Sequence, residues 1–308
     1  MAKEFNQIEW DAAVEEDCRH LVRLAVREDL DRVFDWTTVC LVPPEAMARA
    51  DVVSRSDGIV AGLRAAELAL SEMDISVRWT PTVDEGQPVA RGQVLVAVEG
   101  PARSLLSGER ILLNLIGRLS GIATLTRRYV DAIADSGARI YDTRKTTPGW
   151  RRLEKYAVRL GGGHNHRTGL FDAILIKDNH LALGAAGQGA AHLSPAQAVR
   201  RARELVESMA AAKSADPLIV EVEVDTLEQL AMVLCEGPDI VLLDNMPPDV
   251  LRQAVALRDR TASVVELEAS GGVTLESVAQ IAATGVERIS VGALTHSAAS
   301  LDVGLDWR

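Results

Sequence analysis

The sequence predicts an α/β protein in two parts, the second built from repeated βα units. Three observations carry that expectation. From about residue 138 onward, short β-rich runs alternate with helical stretches, the pattern of parallel strands joined by crossover helices. Nearly every one of those runs ends in charged or hydroxyl residues, where barrels of this kind carry their chemistry. The length of 308 residues allows two domains, or one large α/β domain with an appendage, and an apolar content of 47% is enough for a sizeable core.

Residues 8–27 place Ile8, Ala12, Val14, Leu21, Leu24 and Ala25 on one side of an amphipathic helix. Short β-like runs follow at "ARADVVSR", "ISVRWTPT" and "QVLVAVEG", separated by Gly, Asp and Pro turns. The segment "EGQPVARGQVLVAVEG" resembles the hairpin of a lipoyl- or biotin-carrier domain. Such a carrier presents a lysine at its tip and this stretch has none, so it is read as a structural β-layer. Residues 107–135 show helical spacing through Ile111, Leu112, Leu115, Ile116, Leu119, Ile122 and Leu125. Within them Gly117 and Gly121 permit either close packing or a break between two helices, and the segment connects into the second domain.

The β-rich runs of that domain are "ARIYDTRK", "DAILIKDN", "LIVEVEVD", "DIVLLDNM", "VVELEASGG" and "RISVGAL", with "YAVRLGGG" as a possible seventh strand. Helices are expected near 149–156, 195–211, 226–236, 248–259 and 274–284, and residues 182–197 are read as a loop leading into a helix. Six or seven such units suggest a barrel. The strand ends then bring forward Asp142, Arg144 and Lys145, and His164, His166 and Arg167. Next come Lys177, Asp178, Asn179 and His180, then Glu221, Glu223 and Asp225. The last three ends supply Asp244 and Asn245, then Glu268, Ser270, Gly271 and Gly272, and finally Gly292. One charged strand end is ordinarily a solvated rim residue. Six in succession point to an active site on that face.

Charge narrows the ligand class. Residues 142–181 hold eight Lys and Arg against four Asp and Glu, while the whole chain has a formal net charge of −11. A nucleic-acid groove would need a basic domain and stacking aromatics, and this chain has a pI near 5.1 with 4% aromatic residues. A local site for a small anion fits better. Arg144, Arg167 and Lys177, with His166, suit a multi-carboxylate or phosphorylated ligand, because the guanidinium fork matches carboxylate geometry. Glu223 and Asp244 suit Mg²⁺ carried by a phosphorylated substrate, since that ion takes hard oxygen ligands. The glycines of "SGG" and "SVGAL" let backbone approach a phosphate, with a following helix N-terminus to supply donors. Metal ligation by the histidines of "GGGHNHR" is disfavoured by the cations beside them, and a pyridoxal-phosphate lysine at Lys177 by Arg144 and Arg167.

"MAKEFNQIEWDAAVEED" has no basic, apolar leader pattern, so no signal peptide is expected. No stretch approaches the roughly 18 uninterrupted apolar residues of a membrane span. Cys18, Cys40 and Cys235 are isolated and read as free thiols in a reducing cytosol.

The motifs "DTRKTTPGWRRLEKYAVRLGGGHNHR", "ILIKDNH", "VEVEVD", "LLDNM", "LEASGG" and "ISVGALTHS" resemble those of quinolinate phosphoribosyltransferases, the decarboxylating nicotinate-nucleotide pyrophosphorylases of NAD biosynthesis. "REDLDRVFDWTT" and "GERILLNLIGRLSGIAT" fit the N-terminal part of that family, so the likeness runs from about residue 27 to 306. Two departures are a longer 182–215 region and a loose form of "REDLDRVFDWTT"; neither touches the catalytic motifs.

The resemblance implies an N-terminal α/β sandwich (residues 1–118) followed by an incomplete, six- to seven-stranded α/β barrel (119–296), with 297–308 returning to the first domain. It implies a cytoplasmic homodimer in which Arg110 enters the partner's site. Arg144, His166, Arg167 and Lys177 would bind quinolinate. Lys145, Glu223 and Asp244 would surround phosphoribosyl pyrophosphate and its Mg²⁺, and Ser270, Gly271, Gly272 and Gly292 would hold the 5′-phosphate. A related nicotinate phosphoribosyltransferase, or the molybdenum-linked pyrophosphorylase-like group, is the alternative. Nicotinate has one carboxylate, so the retention of Arg110, Arg144, Arg167 and Lys177 together argues for the diacid. A non-catalytic phosphate-metabolite sensor would be expected to lose one of the cations or the Glu223–Asp244 pair.

Overall fold

The computed structural model describes residues 4–31, 33–184, 192–211, 218–261 and 264–308. Part of the expected 182–197 loop, residues 185–191, and residues 212–215 of the longer 182–215 region lie outside them. The chain forms two compact units.

One unit comprises Met1–Gln7, Tyr129–Arg144 and His164–Gly292. Its six strands are all parallel, in the order Arg139–Tyr141, Arg288–Ser290, Glu266–Ser270, Ile240–Asp244, Ile219–Val224, Ala173–Ile176. Each of the six was expected from the sequence. The sheet curls as an incomplete barrel: among the described residues no ladder joins Arg139–Tyr141 to Ala173–Ile176, and only one parallel bridge, Tyr141 with His164, lies on the open side. Phe5 packs against Ala173, Ile219 and Ile240, the first residues of three strands, and so fills the N-terminal end of the barrel.

The helix Leu227–Leu234 starts where Thr226 accepts a hydrogen bond from the Gln229 amide, and Pro248–Arg260 starts with proline in its first turn. The helix expected over 274–284 is shorter, Val278–Ala282. Thr274 and Ser277 exchange side-chain to backbone hydrogen bonds in the manner of a capping box, and the Val278 amide donates to the Thr274 carbonyl at 2.9 Å, so this turn leads into the helix.

The second unit comprises Ile8–Arg128, Lys145–Gly163 and Ala293–Arg308. Its antiparallel sheet has the order Val303–Trp307, Met47–Ser54, Val94–Pro101, Arg78–Pro81, so the last residues pair with the first long strand, Val52 opposite Leu305. Helices Ala12–Leu30, Leu63–Met73 and Arg151–Leu160 belong to it, as does most of Ala102–Ala132. Leu95, Val96, Leu105, Leu112 and Ile116 form its core, each side chain contributing about 1.5–3 kcal/mol on burial. The helix Leu63–Met73 buries Ala65, Ala66, Ala69 and Leu70, a stripe with side chains too small to stand out in the sequence.

Two expectations are settled in this unit. Gly117 and Gly121 mark close packing rather than a helix break, since one helix runs through Ala102–Ala132. The Leu301 amide donates to the Gly117 carbonyl at 2.9 Å, and a Cβ on Gly121 would sit 2.0 Å from the Ala299 carbonyl oxygen. "YAVRLGGG" is not a seventh strand: its first part is the end of the helix Arg151–Leu160. Leu153, Tyr156 and Ala157 recur at helical spacing and are buried, which outweighs the β character of "YAV". Gly161 and Gly162 then end it; Gly162 has φ of 89°, and a Cβ on Gly161 would sit 2.5 Å from the Ala123 carbonyl.

Candidate active site

The barrel unit places Arg144, His166, Arg167, Lys177, Glu223, Asp244, Ser270, Gly271, Gly272 and Gly292 in one body, whereas Arg110 and Lys145 belong to the other unit. Asp142, fully buried after the strand Arg139–Tyr141, fastens two loops together. Its amide donates to the His164 carbonyl at 3.0 Å, and its carboxylate accepts from Asn165 Nδ2 at 2.7 Å and the His166 amide at 2.9 Å. Arg144 and Arg167 are thereby held on neighbouring loops.

Those two arginines repel one another. Burial first, and then the Arg144 charge, push the Arg167 guanidinium down from its ordinary value. Arg144 Nε is itself buried and has no hydrogen-bond partner among the described residues. Two like charges in a poorly hydrated place are unfavourable unless an anion accompanies them. The donor set fits a carboxylate-bearing ligand.

Lys177 follows the strand Ala173–Ile176, and its ammonium donates to Glu223 Oε2. Lys177 is 42% exposed and Glu223 15%. The pair joins a cation expected to bind one substrate to a carboxylate expected at the other. Glu223 and Asp244 lie at the ends of adjacent strands, with Glu223 opposite Leu242. Their hard oxygens fit Mg²⁺, which takes a few carboxylates and leaves its other positions to water and phosphate. A cavity of about 550 Å³ beside Glu223 is lined by Asp178, Asn179, His192, Glu223 and Asp225, among others, and not by Asp244.

Glu221 and Glu268 are displaced from where the sequence put them. Both were expected at the strand ends, yet both are wholly buried, a layer deeper than Glu223 and Ser270 on the same strand faces. Their partner is His166, 5% exposed, whose Nε2 lies 2.9 Å from Glu221 Oε2 and 3.6 Å from Glu268 Oε1. The Phe5 ring covers the imidazole at 4.4 Å between centroids. Burial pushes the Glu221 carboxyl up, but His166, Arg288 and Arg167 outweigh it and hold it below the ordinary carboxylate range. Burial and the Glu221 charge instead raise Glu268.

Arg288, also fully buried, reaches Glu268 at 3.1 Å, Glu266 at 2.9 Å and Glu4 at 3.3 Å, beneath the Tyr141 ring at 3.7 Å. His166, Glu221 and Glu268 have the residue types of a metal site. With Arg288 and Arg167 beside it, however, this triad is already charge-compensated, and the 2.9 Å contact is an ion-pair approach between the imidazole and the Glu221 carboxylate. Sequence reasoning missed Arg288 and Glu4. A charged residue on the inward face of a barrel strand, such as Glu221 or Glu268, is the signal that an opposite charge lies nearby.

The turn at Ser270–Gly272, expected to hold a phosphate, depends on glycine. Gly271 has φ of 94°, and a Cβ there would lie 2.2 Å from Asn245 Oδ1. Asn245 is also left-handed, φ 52°, and its amide donates to the Ser270 carbonyl at 2.8 Å. The helix that follows, Val278–Ala282, is entered through the capped turn at Thr274.

The cationic run is divided between the two units. Arg144, Arg167 and Lys177 serve the barrel unit, while Lys145, Arg151, Arg152, Lys155 and Arg159 belong to the second. There Arg152 pairs with Asp17 at 2.7 Å and Arg159 donates to the Gly163 carbonyl at 2.9 Å. Arg110 lies on Ala102–Ala132, 75% exposed, with Glu109 at 3.8 Å.

Comparison with known proteins assigns both parts of the chain. Residues 35–120 match the model of the quinolinate phosphoribosyl transferase N-terminal domain, and residues 122–306 that of its C-terminal domain. The nicotinate-nucleotide pyrophosphorylase [carboxylating] of Mycobacterium leprae is 45% identical over 301 residues, covering 97% of this chain and 98% of its own. A probable counterpart in Bacillus subtilis is 45% identical over 262 residues, covering 85% and 84%. The solved nicotinate-nucleotide pyrophosphorylase of Francisella tularensis superimposes with a TM-score of 0.85 at 33% identity, over 100% of both chains. Human nicotinic acid phosphoribosyltransferase, at 16% identity and a TM-score of 0.53 over 88% of this chain and 72% of its own, shares the fold alone.

Proposed function

The chain belongs to the quinolinate phosphoribosyltransferase family, and we infer that it converts quinolinate and phosphoribosyl pyrophosphate into nicotinate mononucleotide, CO₂ and pyrophosphate. It is a pentosyltransferase of NAD biosynthesis, in keeping with relatives named nicotinate-nucleotide pyrophosphorylase [carboxylating]. The observation that carries the substrate assignment is the mutual repulsion of Arg144 and Arg167, with Arg144 Nε buried and without a hydrogen-bond partner among the described residues. Quinolinate is a small dianion that relieves this repulsion. Arg144, Arg167 and Lys177 take its two carboxylates, with His166 set beside them by Glu221.

Lys145, Glu223 and Asp244 are assigned to phosphoribosyl pyrophosphate, and the turn Ser270–Gly272 with Gly292 to its 5′-phosphate. Mg²⁺ held by Glu223 and Asp244 would offset the charge of the departing pyrophosphate. The pyridine nitrogen attacks ribose C1 and the C1–oxygen bond to pyrophosphate breaks. The cationic ring then accepts the electron pair of the C2–carboxylate bond as CO₂ leaves, and C2 takes a proton. No protein nucleophile is needed; the residues position two anions and stabilise developing charge. The proposed assembly is a cytoplasmic homodimer, with the exposed Arg110 completing the partner's site. No helix of the described residues is long and apolar enough to cross a membrane.

Titration calorimetry tests the diacid assignment. Quinolinate should bind at least about 100-fold more tightly than nicotinate, a difference of roughly 2.7 kcal/mol. Equal affinities would instead favour the monoacid enzyme.

A further inference from the structure

We propose that Glu154 is a positioning residue for Lys145, acting through a closed ring of hydrogen bonds in the second unit. The inference rests on Lys145 contacting phosphoribosyl pyrophosphate. Glu154 sits on the helix Arg151–Leu160 and is wholly buried, so its carboxylate must be fully partnered to be tolerated. Arg118 supplies Nε at 3.2 Å and Nη2 at 2.6 Å to Oε1. Thr147 supplies Oγ1 at 2.9 Å to Oε1 and its amide at 3.1 Å to Oε2.

The ring closes on the far side. Arg118 also donates to the carbonyls of Thr295 and Ala298, the latter at 3.1 Å. Thr295 Oγ1 then donates to the Lys145 carbonyl at 2.8 Å. Glu154 therefore reaches Lys145 by two routes, one through Thr147 two residues along the chain and one through Arg118 and Thr295. The segment between is tied as well: Arg151 Nε donates to Thr146 Oγ1 at 3.1 Å, and the Trp150 amide to the Thr147 carbonyl at 3.0 Å. Gly149, with φ of 84°, makes that turn possible. Lys145 itself is exposed, so the ordering of an exposed cation is set by a buried anion that never meets the ligand. Pre-ordering of this kind lowers the entropy lost when a phosphorylated ligand binds.

Steady-state kinetics separates this role from a purely structural one. Glu154→Gln keeps the side-chain size but removes the charge that faces Arg118 and Thr147. The KM for phosphoribosyl pyrophosphate should rise about tenfold, as for loss of a charge-assisted hydrogen bond, with the KM for quinolinate changed less than about twofold. Lys145→Ala alone should raise the same KM, and adding Glu154→Gln to it should raise it little further, the non-additivity of residues acting in series.

If Lys145→Ala leaves that KM unchanged, the assignment of Lys145 fails. If Lys145→Ala acts but Glu154→Gln moves both KM values equally, or adds in full to Lys145→Ala, the positioning role of Glu154 is overturned. Should Glu154→Gln not fold, the exposed Thr147 carries the test. Thr147→Val should raise the KM for phosphoribosyl pyrophosphate about threefold and Thr147→Ser should restore it; no change with Thr147→Val would overturn the inference.

Discussion

Lys177→Ala is expected to lower kcat/KM for quinolinate by at least about 100-fold, in line with removal of one charge-stabilising donor, while the protein stays folded. The side chain is 42% exposed and, among the described residues, its ion pair is with Glu223 at the rim of the barrel, so its loss takes little from stability. Substrate binding is a different matter. The lysine is the third cation for a ligand with two carboxylates, and its removal leaves Glu223 facing that ligand without a counter-charge.

The same pairing predicts a division of the effect. Affinity for Mg²⁺ and phosphoribosyl pyrophosphate, measured by calorimetry, should be kept, because Glu223 loses only a competing cation. Near wild-type turnover in a folded Lys177→Ala protein would remove the residue from the site. An equal loss for both substrates would instead place it with the ribosyl donor.

The second large effect belongs to Arg110. Arg110→Ala should be almost inactive by itself, although the substitution changes an exposed residue of the helix Ala102–Ala132 and leaves every barrel residue in place. If Arg110 serves the partner's site, an Arg110→Ala chain keeps an intact barrel pocket and a Lys177→Ala chain keeps an intact Arg110. Mixing the two under conditions that exchange subunits makes half of the heterodimer's sites complete. Random pairing into isologous dimers then returns activity to about a quarter of wild type. With exchange confirmed by native mass spectrometry, the absence of recovery would show that Arg110 acts within its own chain or not at all.

The six parallel strands were legible because each lies in a short run containing apolar residues and closing on polar or glycine residues, as "AILIKDN" and "DIVLLDN" do. Depth was not. Glu221 and Glu223 share a strand face by their spacing, but the alternation that reveals the face does not tell how far along the barrel each sits. The Lys177–Glu223 pair was equally hidden, since 46 residues separate its members and no local pattern links them. The helix Arg151–Leu160 was partly misread because its buried face mixes Leu153 and Ala157 with Glu154 and Lys155. A buried carboxylate in a helix looks like a surface residue until its partners, Arg118 and Thr147, are seen.

The most direct measurement follows the carboxylate itself. The protein would be mixed with Mg²⁺, phosphoribosyl pyrophosphate and quinolinate labelled in its 2-carboxylate, and the labelled CO₂ and the nicotinate mononucleotide counted together. The account predicts equal amounts of both, with neither formed when the ribosyl donor is omitted. Nucleotide formed from nicotinate but not from quinolinate, or no transfer to either acid, would contradict it.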